Sequence, residues 1–310
     1  MDTKHPSNQL SEFILQRFRM VTYRWSGSRP FPGALMLQTT ASSTSCRMFW
    51  CAPGSVQRPD LEGGWPDIEL YHLRSYYAIL DSTASNIRAL AAHYVQEIRR
   101  VQPQGPYLLG GYCEGARLAF EIAKQLTTRD AQVPILALVE LDLPQQDWAL
   151  PVVRLYFRYL QRVRYHAAQL SALSALRRIV YVIAWIRRCC GRLAPHANPA
   201  RYLRLANSDR TIRSSPVSVS AEDAHVLEPL KTRALMLYVR GGINGFYRLK
   251  RFQKAWRHLC MGGETVRMID GEAHGTPSWR EVAHQVGDFL GRLGYLRTRG
   301  KGESLASVRA

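Results

Sequence analysis

Pro106-Tyr107-Leu108-Leu109-Gly110-Gly111-Tyr112-Cys113-Glu114-Gly115-Ala116-Arg117-Leu118-Ala119-Phe120-Glu121-Ile122-Ala123 is the stretch from which the rest of the chain is read. Tyr107 to Leu109 is a short apolar run bounded by glycines, the pattern of a buried strand. From Gly115 onward Leu118, Ala119, Ile122 and Leu126 recur at helical spacing, so a helix follows at once. Between them stands Gly111-x-Cys113-x-Gly115, the G-x-S-x-G pattern of a nucleophile elbow with cysteine in place of serine. The small residues have a mechanical reason: the nucleophile's backbone is strained, and Cβ atoms two positions either side would collide with strand and helix. A lone cysteine is more often a small buried hydrophobe, and five-residue patterns occur by chance. The flanking strand and amphipathic helix are the context that separates an elbow from such a coincidence. A helix N-terminus beneath Cys113 also lowers a thiol pKa from its free value of roughly 8.5.

A chain of 310 residues is long enough for one large α/β domain with an insertion. Its six cysteines (Cys46, Cys51, Cys113, Cys189, Cys190, Cys260) form no C-x-x-C pair and no regular framework. With no apolar leader at the N-terminus, this usage fits a reducing cytoplasm. The longest apolar run, Ile179 to Ile186, is far too short to span a bilayer. The net charge of +18 is the compositional outlier. It suits nucleic acid, an anionic membrane surface or an acidic protein. No zinc-finger spacing, aromatic RNA-binding pattern or basic-region heptad accompanies it, which argues against nucleic acid. Arginine far outnumbers lysine, as a skewed genome composition alone would produce.

Read in order, residues 1 to 33 are an extension with a helical patch from Leu10 to Phe18. Ala34 to Gln38 reads as an edge strand, Met48 to Cys51 and Ile68 to Leu73 as core strands, and Asn86 to Val101 as an amphipathic helix. After the elbow, its helix runs to about Thr128, and Ile135 to Asp142 reads as a second buried strand. Alternating strands and helices predict a doubly wound, mainly parallel sheet, an α/β fold. Residues 143 to about 228 break the rhythm with helical patterns at Val152 to Leu173 and Leu176 to Leu193. From Pro151 to Ser208 they carry frequent arginine and no acidic residue, and they read as an inserted helical lid. The sheet resumes at Ala234 to Val239 and Thr265 to Ile269. A closing helix starts near Ser278, where Ser278-x-x-Glu281 suggests a capping box. The domain so delimited covers residues 34 to 295, and residues 296 to 310 read as a disordered tail.

In an elbow protein of this type the catalytic order is nucleophile, acid, histidine. Asp142 ends the first strand after the elbow, at the carboxyl edge that faces the ligand crevice. Glu140 lies deeper and is the weaker candidate. The strand ending at Val239 continues into Arg240-Gly241-Gly242-Ile243-Asn244, which offers no carboxylate. Of nine histidines, His274 stands in the loop Gly271-Glu272-Ala273-His274-Gly275-Thr276-Pro277 between the last strand and helix, where it can reach the elbow. His274 would take the Cys113 proton, and Asp142 would orient the imidazole. The oxyanion hole needs two backbone N–H groups, one from Glu114 and the other from the loop after the first core strand, with Gly54 the candidate. Gly54 reads equally well as a turn glycine after Pro53. No histidine pair has metal-ligand spacing, so neither metal nor cofactor is expected.

Val101-Gln102-Pro103-Gln104-Gly105-Pro106-Tyr107 running into the elbow resembles the thioesterase domains of nonribosomal peptide and polyketide synthases. The similarity continues through Phe120 to Leu126, Leu138 to Asp142, and Ile269-Asp270-Gly271-Glu272-Ala273-His274-Gly275-Thr276. It covers roughly residues 34 to 293, strongly at the elbow and weakly in the lid. It implies an α/β-hydrolase fold, with nucleophile, acid and base at Cys113, Asp142 and His274 and a mobile helical lid after the acid. It also implies release or transfer of an acyl or peptidyl chain from the phosphopantetheine thioester of a carrier protein, the expected partner.

Three departures from that family stand out. Cysteine replaces the usual serine, so the acyl-enzyme would itself be a thioester, suited to transfer or cyclisation as much as to hydrolysis. Ala52-Pro53-Gly54-Ser55 stands where the family usually has His-Pro and small residues. Glu114 places a carboxylate beside the nucleophile, which suits a helix N-terminus but opposes a thiolate. No carrier segment is evident at either end, so a free-standing protein is expected. Two other readings remain open: an esterase or acyltransferase acting on oxoesters, and a non-catalytic hydrolase-fold module that docks carrier proteins.

Overall fold

A computed structural model describes residues 10–22, 27–39, 46–52, 65, 68–76, 79–81, 83–141, 160, 163–193, 227–240, 256–271 and 277–296. After helix α1 (Glu12–Thr22) come strands β1 (Leu37–Gln38), β2 (Arg47–Ala52) and β3 (Glu69–Arg74). Helix α2 (Ala84–Val101), strand β4 (Leu108–Tyr112), helix α3 (Glu114–Thr127) and strand β5 (Ile135–Val139) follow. Helix α4 (Ala175–Leu193), strands β6 (Arg233–Val239) and β7 (Glu264–Ile269) and helix α5 (Trp279–Arg292) complete the order. The sheet runs β1-β3-β2-β4-β5-β6-β7, with every pairing parallel except β1 on β3. From β2 the chain first builds outward to β3, then returns to place β4 on the opposite side of β2. That reversal is a topological switch point, and its crevice opens at the carboxyl ends of β2 and β4.

Both faces of β4, β5 and β6 are buried, which is why these strands read as nearly unbroken apolar runs. Along β5, Leu136 and Leu138 pack on the face covered by α2 and α3, with Ile87, Leu90, Tyr94, Leu118 and Ile122. Ile135, Ala137 and Val139 point the other way, onto Trp279, Val282, Val286, Phe289 and Leu290 of α5. Period-two alternation thus feeds one core on each side. The helical periodicity of 86–101 is met, with Ile87, Leu90, Ala91, Tyr94, Val95 and Ile98 all buried. The pattern did not disclose Glu97, which is also buried on this helix. Its carboxylate accepts from the amides of Leu35 (2.6 Å) and Met36 (3.0 Å) and faces His93 Nε2 at 3.1 Å. A buried carboxylate with these partners satisfies two otherwise orphaned amides and ties the segment before β1 to α2.

Several expectations change. Only Leu37 and Gln38 of the 34–38 stretch form an edge strand, while Ala34, Leu35 and Met36 are fully buried in the core instead. The strand expected to run to Asp142 ends at Val139, because Glu140 turns to φ +53°, a region no strand residue adopts. Helix α5 begins as expected, Ser278 Oγ accepting from the Glu281 amide at 3.4 Å. The capping box does not close, since Glu281 Oε2 accepts from Asp270 N, and Ser278 N donates to Asp270 O at 2.7 Å. In the insertion, α4 spans Ala175–Leu193 and residues 163–171 are helical; residues 143–159, 161–162 and 194–226 of the expected lid lie outside the described residues. So does the tail from 297.

Candidate active site

Cys113 sits between the last residue of β4 and the first of α3, with φ 53° and ψ −121°. Such values are strained for any residue with a side chain, and they persist only where the surroundings over-determine them. Here the constraints are visible. Cys113 N donates to Val139 O at 2.9 Å, pinning the turn to β5. Its carbonyl accepts from the amides of Ala116 (3.0 Å) and Arg117 (3.3 Å), starting the helix on the next residue. No side chain caps that helix, and among its first four amides those of Ala116 and Arg117 are satisfied by the Cys113 carbonyl.

The two flanking glycines are there because nothing larger fits. A Cβ on Gly111 would lie 2.6 Å from the Gly115 carbonyl group. One on Gly115 would lie 2.1 Å from Cys51 O, on the neighbouring strand β2. Helix α3 is therefore drawn against the end of β2, which aims the helix N-terminus into the crevice at the switch point. The elbow is thus seen directly, as the glycine spacing predicted.

Tyr112 and Tyr76 both lie within electrostatic reach of Cys113. Tyr112 packs edge-on against Trp279, with ring centroids 5.3 Å apart, so the residue before Cys113 rests on the start of α5. Burial raises its hydroxyl well above the ordinary tyrosine range, and the nearby charges of Cys113, Glu140 and Glu114 act in the same direction. Tyr76, just past β3, is likewise raised by burial; Arg117 opposes the rise, and Glu114 and Cys113 reinforce it. Both phenols therefore stay neutral hydrogen-bonding groups at any ordinary pH. The sequence reading missed Tyr76 and Arg117. Arg117 could have been found from its place one helical turn after Cys113, whereas only the β2–β3 pairing brings Tyr76 close.

The other predicted residues divide plainly. Glu114 is the first residue of α3. Asp142, His274 and Gly54 lie outside the described residues. Glu140, the weaker acid candidate, is buried, and its carboxylate accepts from the Val239 amide of β6. The ends of the stretch that carries His274 are described: Gly271 and Pro277 form an antiparallel bridge just beyond β7. Two residues on, Trp279 meets Tyr112. Among the described residues, no group of three or more His, Cys, Asp or Glu is placed to hold a metal ion.

Burial sorts the described thiols by reactivity. Cys46, Cys51 and Cys260 are buried, and Cys113 is partly exposed. Burial pushes the Cys46 thiol up to about 11 and Cys260 to about 12, and raises Cys51 further. A raised thiol pKa means less thiolate, so at pH 8 about one Cys46 thiol in a thousand and one Cys260 thiol in ten thousand is ionised. Iodoacetamide at that pH is expected to alkylate Cys113 in the native protein while sparing Cys46, Cys51 and Cys260. Raising the pH by one unit should speed any Cys46 labelling about tenfold. Peptide mapping that finds Cys46 modified as fast as Cys113 at pH 8 would contradict this ordering.

The family model described as "Thioesterase domain" matches residues 71–275, well over half of the chain. The chain is 40% identical over 73 residues to the non-reducing polyketide synthase terA of Aspergillus terreus, a match covering 24% of this chain and 4% of that protein. It is 38% identical over 60 residues to the chondramide synthase cmdD of Chondromyces crocatus, covering 19% and 2%. The chain thus spans only a small fraction of these curated relatives. Among solved structures it is similar to YbtT, a type II thioesterase from the yersiniabactin biosynthetic pathway. That similarity has 17% identity and a TM-score of 0.48, covering 84% of this chain and 96% of that one. The matched segment runs from within β3 through the elbow to the stretch holding His274. This chain belongs to the thioesterase domain family and has an α/β-hydrolase fold.

Proposed function

We propose that the protein is a thioesterase that releases or transfers an acyl or peptidyl chain from a carrier protein's phosphopantetheine thioester. Cys113 is the nucleophile, His274 the general base and Asp142 the residue that orients it. The supporting observation is the strained elbow, which presents one partly exposed thiol at a helix N-terminus in the crevice of the sheet. In the first half-reaction His274 accepts the Cys113 proton, and the sulfur attacks the thioester carbonyl carbon. The amides of Glu114 and Gly54 receive the oxyanion. Collapse breaks the bond to the phosphopantetheine sulfur, which leaves with the proton held by His274. In the second half-reaction His274 deprotonates water, or a hydroxyl or amine of the cargo, and Cys113 leaves as thiolate. The bridge between Gly271 and Pro277, next to Trp279 and hence to Tyr112, favours His274 as the base, because it fixes both ends of its loop near the elbow.

The relatives are themselves named as synthases, and a carrier protein of such a synthase is the proposed donor. The domain limits of 34 to 295, with the lid at 143–228, and a place in the cytoplasm belong to the same reading. Purified protein given matched acyl-pantetheine and acyl-ethyl esters is expected to turn over the thioester and to leave the oxoester nearly untouched. Preference for the oxoester would assign an esterase. No turnover of either, with a carrier protein still bound, would assign a docking module.

A further inference from the structure

The helical hairpin of residues 163–171 and α4 turns its apolar side outward. Its inner side is marked by contacts: His166 Nδ1 lies 2.8 Å from Tyr181 Oη, and the His166 ring stands edge-on to Trp185 at 5.5 Å. Arg178 Nε donates to the carbonyls of Leu170 (2.8 Å) and Leu173 (2.9 Å), closing the turn between the helices. Arg178, Tyr181 and Trp185 therefore form the inward stripe of α4. Leu176, Ile179, Ile183 and Ile186 recur at three- and four-residue spacing on the opposite side. These four are 77%, 60%, 46% and 48% exposed. A contiguous row of large aliphatic side chains left in water marks an interaction surface.

Charge decides what covers it. Between Pro151 and Ser208 the chain has eleven arginines, no lysine and no acidic residue, so this one segment carries more than half of the net charge of +18. The arginines are distributed along the whole segment, before, within and after α4, and are not gathered at one point. A partner groove in a folded protein pairs a few charges at its rim, whereas an anionic lipid surface pairs charges wherever they fall. An apolar stripe set in an arginine-rich segment is the composition of a helix that lies in the headgroup region. No described helix is long and apolar enough to cross a membrane. We propose that the outward stripe of α4 seats this protein on an anionic membrane surface, with its aliphatic side chains below the headgroups. The inference does not depend on the thioesterase reading.

The test is flotation of the full chain with phosphatidylcholine vesicles, with and without phosphatidylglycerol. Binding is expected to the anionic vesicles, about tenfold or more above the neutral ones, and to weaken on going from about 0.1 to about 0.5 M salt. The double variant Ile179→Ser, Ile183→Ser removes two aliphatic side chains without touching the inner contacts. It should lower partitioning about a hundredfold while leaving circular dichroism and the melting temperature unchanged. Failure of the native protein to bind anionic vesicles overturns the proposal. Binding undiminished in a folded double variant also overturns it, since charge alone would then suffice. So does a dimer that the substitutions dissociate in a protein that ignores vesicles, which would assign the stripe to a second copy.

Discussion

Replacing Cys113 by alanine is expected to reduce thiol release from acyl-pantetheine by about four to six orders of magnitude, leaving the fold and melting temperature as they are. The size follows from what a triad nucleophile does. Removing it leaves only binding and the oxyanion donors, and the loss equals that of removing the whole triad. The fold should survive because alanine keeps the backbone bonds that hold the turn, from Cys113 N to Val139 O and from the Ala116 and Arg117 amides to the Cys113 carbonyl. The positive φ also persists, since alanine and cysteine meet the same steric barrier there. Cys113→Ser is the companion variant. It keeps a nucleophile of nearly the same shape in the same strained turn, so it should retain measurable turnover with an oxoester intermediate. Equal rates for the native protein and Cys113→Ala would show that the elbow is not the catalytic centre.

The second large effect is on the elbow's frame. Gly115→Ala places a Cβ 2.1 Å from Cys51 O and 2.8 Å from its carbonyl carbon. Both neighbours are backbone at the end of β2, so no side-chain rotation relieves the clash. Strand and helix must separate by about an ångström, and overpacking of that kind costs about 3 kcal/mol or more. The melting temperature should fall by roughly 6 to 12 °C. Activity should fall further still, because the Glu114 amide moves with the helix. Gly294→Ala is the control: its φ is +78°, and an added Cβ there would have nothing within 4 Å. Only the conformational penalty applies, about 1 kcal/mol. If both variants melt alike, the close approach of α3 to β2 is not what the glycine serves.

How much of this was legible in the residues depends on how local the cause is. The elbow was fully legible, because strand, turn and helix are set by neighbours within some fifteen positions and the glycines mark the crowded points. The two-faced sheet was legible for the same reason, since β5 and β6 are short apolar runs with no polar face to interpret. The end of β5 was not. Val139, Glu140 and Leu141 continue the pattern smoothly, whereas Glu140 N bonds to Leu237 O and its carboxylate accepts from Val239 N at the turn. Both are contacts to a strand nearly a hundred residues away. Glu97 was hidden likewise: a glutamate on a helix face reads as solvated unless one knows that the Leu35 and Met36 amides need acceptors. The reach of Tyr76 toward Cys113 depends on β3 lying beside β2, a matter of sheet order that no local pattern encodes.

The central claim is that the sulfur of Cys113 carries the cargo between donor and acceptor. The direct measurement is mass spectrometry of the intact protein, and of its peptides, quenched in acid during turnover of an acyl-pantetheine substrate. The account predicts a mass gain equal to the acyl group, located on the peptide containing Cys113, absent from Cys113→Ala and lost with hydroxylamine. Turnover with no adduct on that peptide, or with the adduct on another residue, would contradict it.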